Sequence, residues 1–202
     1  PLRRGLERVG EYYRSTGSDA PINHTCQQNF TILFTDGYWN GDNPVGAIND
    51  ADGDGVSETL ADVARYYYET DLRDDLADNV IATDRDPAEY QHMVTFTVAF
   101  GIEGNLQDTN NDGWPDKDEN GNDYVPQVAG DWGNAFNSDP EKVDDLWHAA
   151  FNSKGDFIAA STPQEVVKAQ SDALNVIKDL TSSAASVALN SGSLGSNTAV
   201  FQ

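Results

Sequence analysis

The run Asn29-Phe-Thr-Ile-Leu-Phe-Thr35 most narrows the folds open to this chain. Phe30, Thr31, Ile32, Phe34 and Thr35 are β-branched or aromatic, and no charge appears until Asp36. An apolar run of this kind, bounded by a turn, reads as a strand covered on both faces. Val94-Thr-Phe-Thr-Val-Ala-Phe-Gly101 reads as a second, and Asp156-Phe-Ile-Ala-Ala160 as a short third. Strands of this type need helices above and below them, and the intervening segments carry the pattern for it.

Leu2, Leu6, Val9 and Tyr13 fall on one face of a helix over 2–14. Thr59, with Asp62 three residues on, predicts a capped start for a helix buried through Leu60, Val63, Ala64 and Tyr67 and ending near Asp71. Ser138-Asp-Pro-Glu141 opens another, with the stripe Val143, Leu146, Trp147, Ala150 and a stop at Lys154-Gly155. Thr162-Pro-Gln-Glu165 opens the last, which runs to Leu180. From Ser182 the chain turns to Ala, Ser, Gly and Asn, so 1–181 reads as one domain and 182–202 as a helix tail and linker. Alternation of helix and strand predicts right-handed crossovers and an open parallel α/β sheet with helices on both faces. Both long acidic loops, 36–58 and 102–137, would then leave the carboxyl end of the sheet, where ligands bind in such folds.

Twelve basic residues against 34 acidic ones give a net charge of −22. That surface repels nucleic acid and anionic membranes and draws cations. No 18-residue apolar run is present, which excludes a spanning helix within these residues. Pro1 to Val9 reads as a helix entered at its first turn, so the expectation is a piece of a longer chain with amino-terminal strands missing. Cys26 is solitary, either a buried thiol or half of a disulfide.

Many of the acids follow a regular spacing. Asp50-x-Asp52-x-Asp54-Gly55-x-x-Glu58 places oxygen ligands at alternate positions with a glycine where the backbone must turn. This is the first half of a calcium loop, in which the carbonyl of Val56 adds a further oxygen. The usual bidentate glutamate at position twelve is replaced by Ala61, so closure must come from Glu58 or from Asp62. Asp108-x-Asn110-x-Asp112-Gly113, with Trp114 at the carbonyl position and then Asp116, repeats the pattern. It runs into Asp116-x-Asp118-x-Asn120-Gly121. All-oxygen donors favour calcium over zinc or magnesium, at two or three sites. Asp36, alone at its strand end, is a metal ligand, a cap or a nucleophile. An enzyme would need a base or a cationic clamp beside it, which the loops do not supply, so a metal-dependent hydrolase using Asp36 is the alternative reading. His148 reads as a satisfied structural histidine.

Asn29 to Gly41, Thr59 to Tyr68 with Thr70-Asp-Leu-Arg73, Gln91 to Val98 and Asp145-Leu-Trp-His-Ala-Ala150 together resemble the PilY family, tip-associated adhesin and biogenesis proteins of type IV pili. The resemblance implies the carboxyl-terminal part of a von Willebrand factor A-like, Rossmann-type domain, exported to the bacterial surface or pilus tip. It implies pilus subunits or a surface receptor as partners, and a β-propeller following Leu194 to Gln202. It places Asp36 in the third loop of an adhesion-type metal site that takes magnesium. The Asp-x-Ser-x-Ser loop of that site is absent here.

Overall fold

The computed structural model describes residues 1–191 apart from 42, 45 and 47. The elements alternate as α1 (Leu2–Arg14), β1 (Asn29–Thr35), α2 (Leu60–Glu69), β2 (Met93–Phe100), α3 (Asp139–Asn152), β3 (Phe157–Ala160) and α4 (Pro163–Ser191). The strands form one open parallel sheet in the order β1-β2-β3, with Thr31 opposite Thr95 and Val98 opposite Ile158.

Strand alternation divides β2 between two cores. Met93 and Ala99 face a layer built from α1, α2 and α3, where Leu6, Leu60, Val63, Leu146 and Ala149 are buried. Val94 and Phe96 face α4, packing with Ala173, Phe30, Ile32 and Ile177. Helices therefore cover both faces, as continuous apolar strands require. The buried Thr97 is provided for by α3, its hydroxyl donating to the Leu146 carbonyl at 2.8 Å; Ser153 Oγ accepts from the Thr95 amide at 3.1 Å, while the buried Thr95 hydroxyl has no hydrogen-bond partner. Gly155 lets α3 return to the sheet, since a Cβ there would collide with the Thr95 carbonyl.

The caps are those that local sequence dictates. Thr59 and Asp62 form a reciprocal capping box on α2, Ser138 caps α3, and α1 starts at Pro1 without a side-chain cap. Helix α4 continues to Ser191, through the first part of the stretch 182–202 expected as helix tail and linker, and residues 192–202 lie outside the described residues. Cys26 is exposed, which removes the buried-thiol alternative. No helix among the described residues is long and apolar enough to cross a membrane.

Candidate metal centre

The loop after β1 is held to α1 by Arg3. Its guanidinium lies 4.3 Å from the centre of the Trp39 ring and donates to the carbonyls of Gly41 and Glu58, each at 2.8 Å. Beyond that anchor the acids fold the backbone around themselves. Asp50 accepts from the amides of Gly53 and Gly55 at 2.9 and 3.1 Å, Asp52 from Asp54, and Asp54 from Val56. The second loop repeats this turn. Asp108 accepts from Asp112 and Gly113 at 3.2 and 2.9 Å, and Asp112 accepts from Trp114. Gly55 and Gly113, each sixth in its motif, share a φ of +92°, a left-handed value that glycine alone adopts freely.

The two loops differ in what they assemble. Asp50, Asp52 and Asp62 bring ligand oxygens within 4.8 Å of one another, and so do Asp52, Asp54 and the imidazole of His148. Among the described residues these are the two groups of three acid or imidazole ligands, and both combine acids of the first loop with a helix residue, Asp62 of α2 or His148 of α3. In 108–123 the acids point to their own backbone. Asp116 accepts from Thr109, and Asp118 accepts from the amides of Asn120 and Asn122. Asn110 joins Asp112 through Nδ2 at 3.1 Å.

Glu58 does not close the first loop with its carboxylate, which turns to Asn43. The closure is made by backbone, Glu58 N–H to the Asn49 carbonyl at 2.9 Å, with Glu58 at φ +62°. Asp62 takes the place near the cluster instead. Its carboxylate accepts from Ala51 at 2.6 Å and from the Thr59 amide and hydroxyl at 2.8 Å, tying loop to helix.

Asp36 stands elsewhere. It is exposed and lines a groove with Phe34, Phe100, Pro163 and Val166, on the α4 side of the sheet. The acidic loops instead lie over the α2–α3 layer. Trp147 Nε1 donates to the Gly113 carbonyl at 3.0 Å, and Trp114 meets Phe151 edge-on. The expected acidic face therefore holds the two loops without Asp36.

Burial dominates the electrostatics of the cluster. Asp52 is pushed up to about 8 by burial and by its neighbours Asp62 and Asp54. Asp54 and Asp62 are raised for the same first reason. His148 is pushed down to about 4 by burial, so its imidazole is neutral. It is stacked on Trp132, 4.5 Å apart and 8° from parallel, with Nε2 2.7 Å from the Val128 carbonyl. Carboxylates pressed together and stripped of water need protons or a cation.

Sequence reasoning missed Asn152 and undervalued His148. The helical spacing i, i+4 that puts both on one face of α3 was the available signal.

Comparison with known proteins gives one consistent family. The type IV pilus biogenesis factor PilY1 of Pseudomonas aeruginosa strain PAO1 is 36% identical over 229 residues, which cover 91% of this chain and 19% of the relative. PilY1 of strain PAK is 33% identical over 91% of the chain, and that of strain UCBPP-PA14 is 31% identical over 95%. The chain thus spans about a fifth of the length of the curated relatives it matches. No family model matches the chain, and no solved structure matches it.

Proposed function

Because the chain belongs to the PilY1 family of type IV pilus biogenesis factors, we propose that it is a module of pilus assembly or adhesion at the cell surface or pilus tip. In this reading it meets a pilus subunit or surface receptor through a face shaped by calcium. The observation that carries the calcium part is the convergence of exposed Asp50 with the buried Asp52 and Asp62, the last supplied by α2.

The donor set fits calcium. It is all oxygen, its backbone already turns around Asp50, and the carbonyl of Val56 lies in the same loop. Bound calcium would supply the positive charge that lets these carboxylates ionise together. The loop at 108–123 has the same turn and the same donors spaced along it, so calcium there would draw Asp108, Asn110 and Asp112 inward, with Asp116, Asp118 and Asn120 serving the overlapping copy. A magnesium ion at Asp36 would need further oxygen ligands brought to that strand end.

Retention of the chain on purified type IV pili tests the reading. We expect retention in millimolar calcium, loss in chelator, and a weakened response in Asp52→Asn. Equal retention in calcium and chelator would separate the pilus role from the metal. No retention in either would count against pilus subunits as the partner.

A further inference from the structure

We propose that His148, Asp52, Asp54 and Asn152 form a second cation site beneath the first loop, one that takes a zinc-class divalent ion and not calcium. The site is built where α3 and the loop meet. His148 and Asn152 lie one helical turn apart, so their side chains share a face of α3. Both are buried, at 2% and 0% exposure. Asp52 reaches them with one oxygen: Oδ2 is 3.3 Å from His148 Nε2 and 2.7 Å from Asn152 Nδ2. Asp54 approaches the other ring nitrogen, with Oδ2 3.8 Å from Nδ1.

Counting donors against acceptors shows what is missing. The Val128 carbonyl can only accept, so at 2.7 Å it assigns the ring proton to Nε2. Nδ1 then carries a lone pair, and it faces the Asp54 carboxylate, which also offers only lone pairs. The 3.8 Å between them is too long for a hydrogen bond. It suits two ligands of one cation, whose bonds to imidazole nitrogen and carboxylate oxygen are each about 2.0–2.2 Å. A further acceptor is carried on the same face of α3: Asn152 Oδ1 is buried and has no hydrogen-bond partner, while Nδ2 of the same amide donates to Asp52. With the carboxylates ionised, buried acceptors outnumber buried hydrogens here, an excess that a cation resolves when no carboxyl proton does.

Space and chemistry agree with this assignment. A cavity of about 10 Å³, on the scale of a single ion or water, adjoins two of the four residues, His148 and Asp54, and is lined as well by Thr59, Trp132, Glu141 and Asp145, with Asp52 and Asn152 outside it. Trp132, stacked on the imidazole, fixes the ring plane. Calcium prefers oxygen donors throughout, whereas imidazole with carboxylates suits zinc. Asp52 offers Oδ2 to this site while Oδ1 stays with the loop, accepting from the Asp54 amide at 3.2 Å. The proposal does not rest on the calcium reading, since its ligands include two side chains of α3 that the loop motif lacks.

The test is a zinc titration of the chain in saturating calcium, read by calorimetry and by tryptophan fluorescence, with cobalt(II) as the quenching probe beside Trp132. One zinc ion per chain is expected. Its affinity should fall at least tenfold in His148→Gln and in Asp54→Asn, with far-ultraviolet circular dichroism unchanged. Asp54→Asn retains an oxygen for the Val56 amide, so it decides the matter if His148→Gln does not fold. His24 and Cys26 are exposed, two residues apart, and are ordinary surface zinc ligands. Zinc binding abolished by His24→Ala with Cys26→Ser, binding unchanged in Asp54→Asn, or no zinc heat at all would each overturn the proposal.

Discussion

Asp145 holds the first two amides of α2, accepting from Leu60 at 3.0 Å and Ala61 at 2.9 Å with a carboxylate that is 4% exposed. A helix amino terminus favours negative charge, and those two bonds lower the carboxyl's pKa. Burial outweighs them and pushes Asp145 up to about 7. The side chain is therefore useful mainly as a pair of acceptors that replace the missing intrahelical partners. Asp145→Asn keeps one acceptor and removes the charge, so it should remove part of the pH dependence of melting between pH 7 and 4. Asp145→Ala leaves both buried amides unsatisfied and should cost about 2 kcal/mol, several degrees in Tm for a chain of this size. Thermal melts of the two variants at pH 5 and 8 check this. Equal losses in both would mean that charge, not hydrogen bonding, governs the position.

At the scale of elements, α2 and the first acidic loop behave as one unit. Thr59 Oγ1 accepts from the Asp62 amide at 3.0 Å, and Asp62 returns the bond to the Thr59 amide while holding Ala51 in the loop. Loss of such a cap costs about 1 kcal/mol, or about 2–4 °C in Tm here. Thr59→Ala should show that loss. It should also weaken calcium binding several-fold, because Asp62 loses a tether while remaining in the cluster. Calorimetric titration beside a melt separates the two effects, and a lower Tm with unchanged calcium affinity would show the cap and the loop to be independent. The second loop is held by α3 instead, where Asp144 accepts from the amides of Asn105 and Leu106 at 3.0 and 3.1 Å. Further tethers include Lys117 with Asp123, the short bridges Gln107–Lys117 and Lys117–Asp123, and the Trp147 bond to Gly113.

At the scale of the whole molecule, pH and calcium should act against each other. Asp52, Asp145 and Asp144 have folded values of about 8, about 7 and about 6, all raised first by burial above the ordinary 3.8. A raised folded value means that the folded state binds the proton more tightly. The stability it contributes is fully present below the unfolded value and is lost as pH rises through the folded one. His148 acts the other way: with a folded value near 4 against 6.5, its contribution is present above 6.5 and fades as pH falls. In chelator, Tm should therefore rise as pH falls from 8 to 6.5 and go on rising below that, where His148 offsets only one of the three carboxyls. Calcium binds the ionised carboxylates, so it should stabilise more at pH 8 than at 6.5. For a Kd of about 0.1–1 mM, millimolar calcium adds about 0.5–1.5 kcal/mol per site. Calorimetric melts at three pH values, with calcium and with chelator, read both slopes. A calcium-free Tm that climbed from pH 6.5 to 8 would contradict the account.

The sequence by itself determined what depends on near neighbours. Strand runs, helix stripes, caps at Thr59, Ser138 and Thr162, and the parallel order all followed from periodicity and spacing. The turns around Asp50 and Asp108 did too, because their bonds join residues two to five apart. Tertiary structure alone decided which of these pieces face each other. Asn152 meets Asp52 across 100 residues, and His148 meets it across 96. No local rule sets those pairings. They arise because Trp114 and Trp132 pack edge-on and tilted against Phe151, laying the aperiodic segment 103–137 over the outer side of α3. The same docking explains why Asp36, apparently akin to the other acids, ends beside α4. A loop leaving a strand can fold to either face, and its aromatic contacts, spread along more than a hundred residues, choose between them.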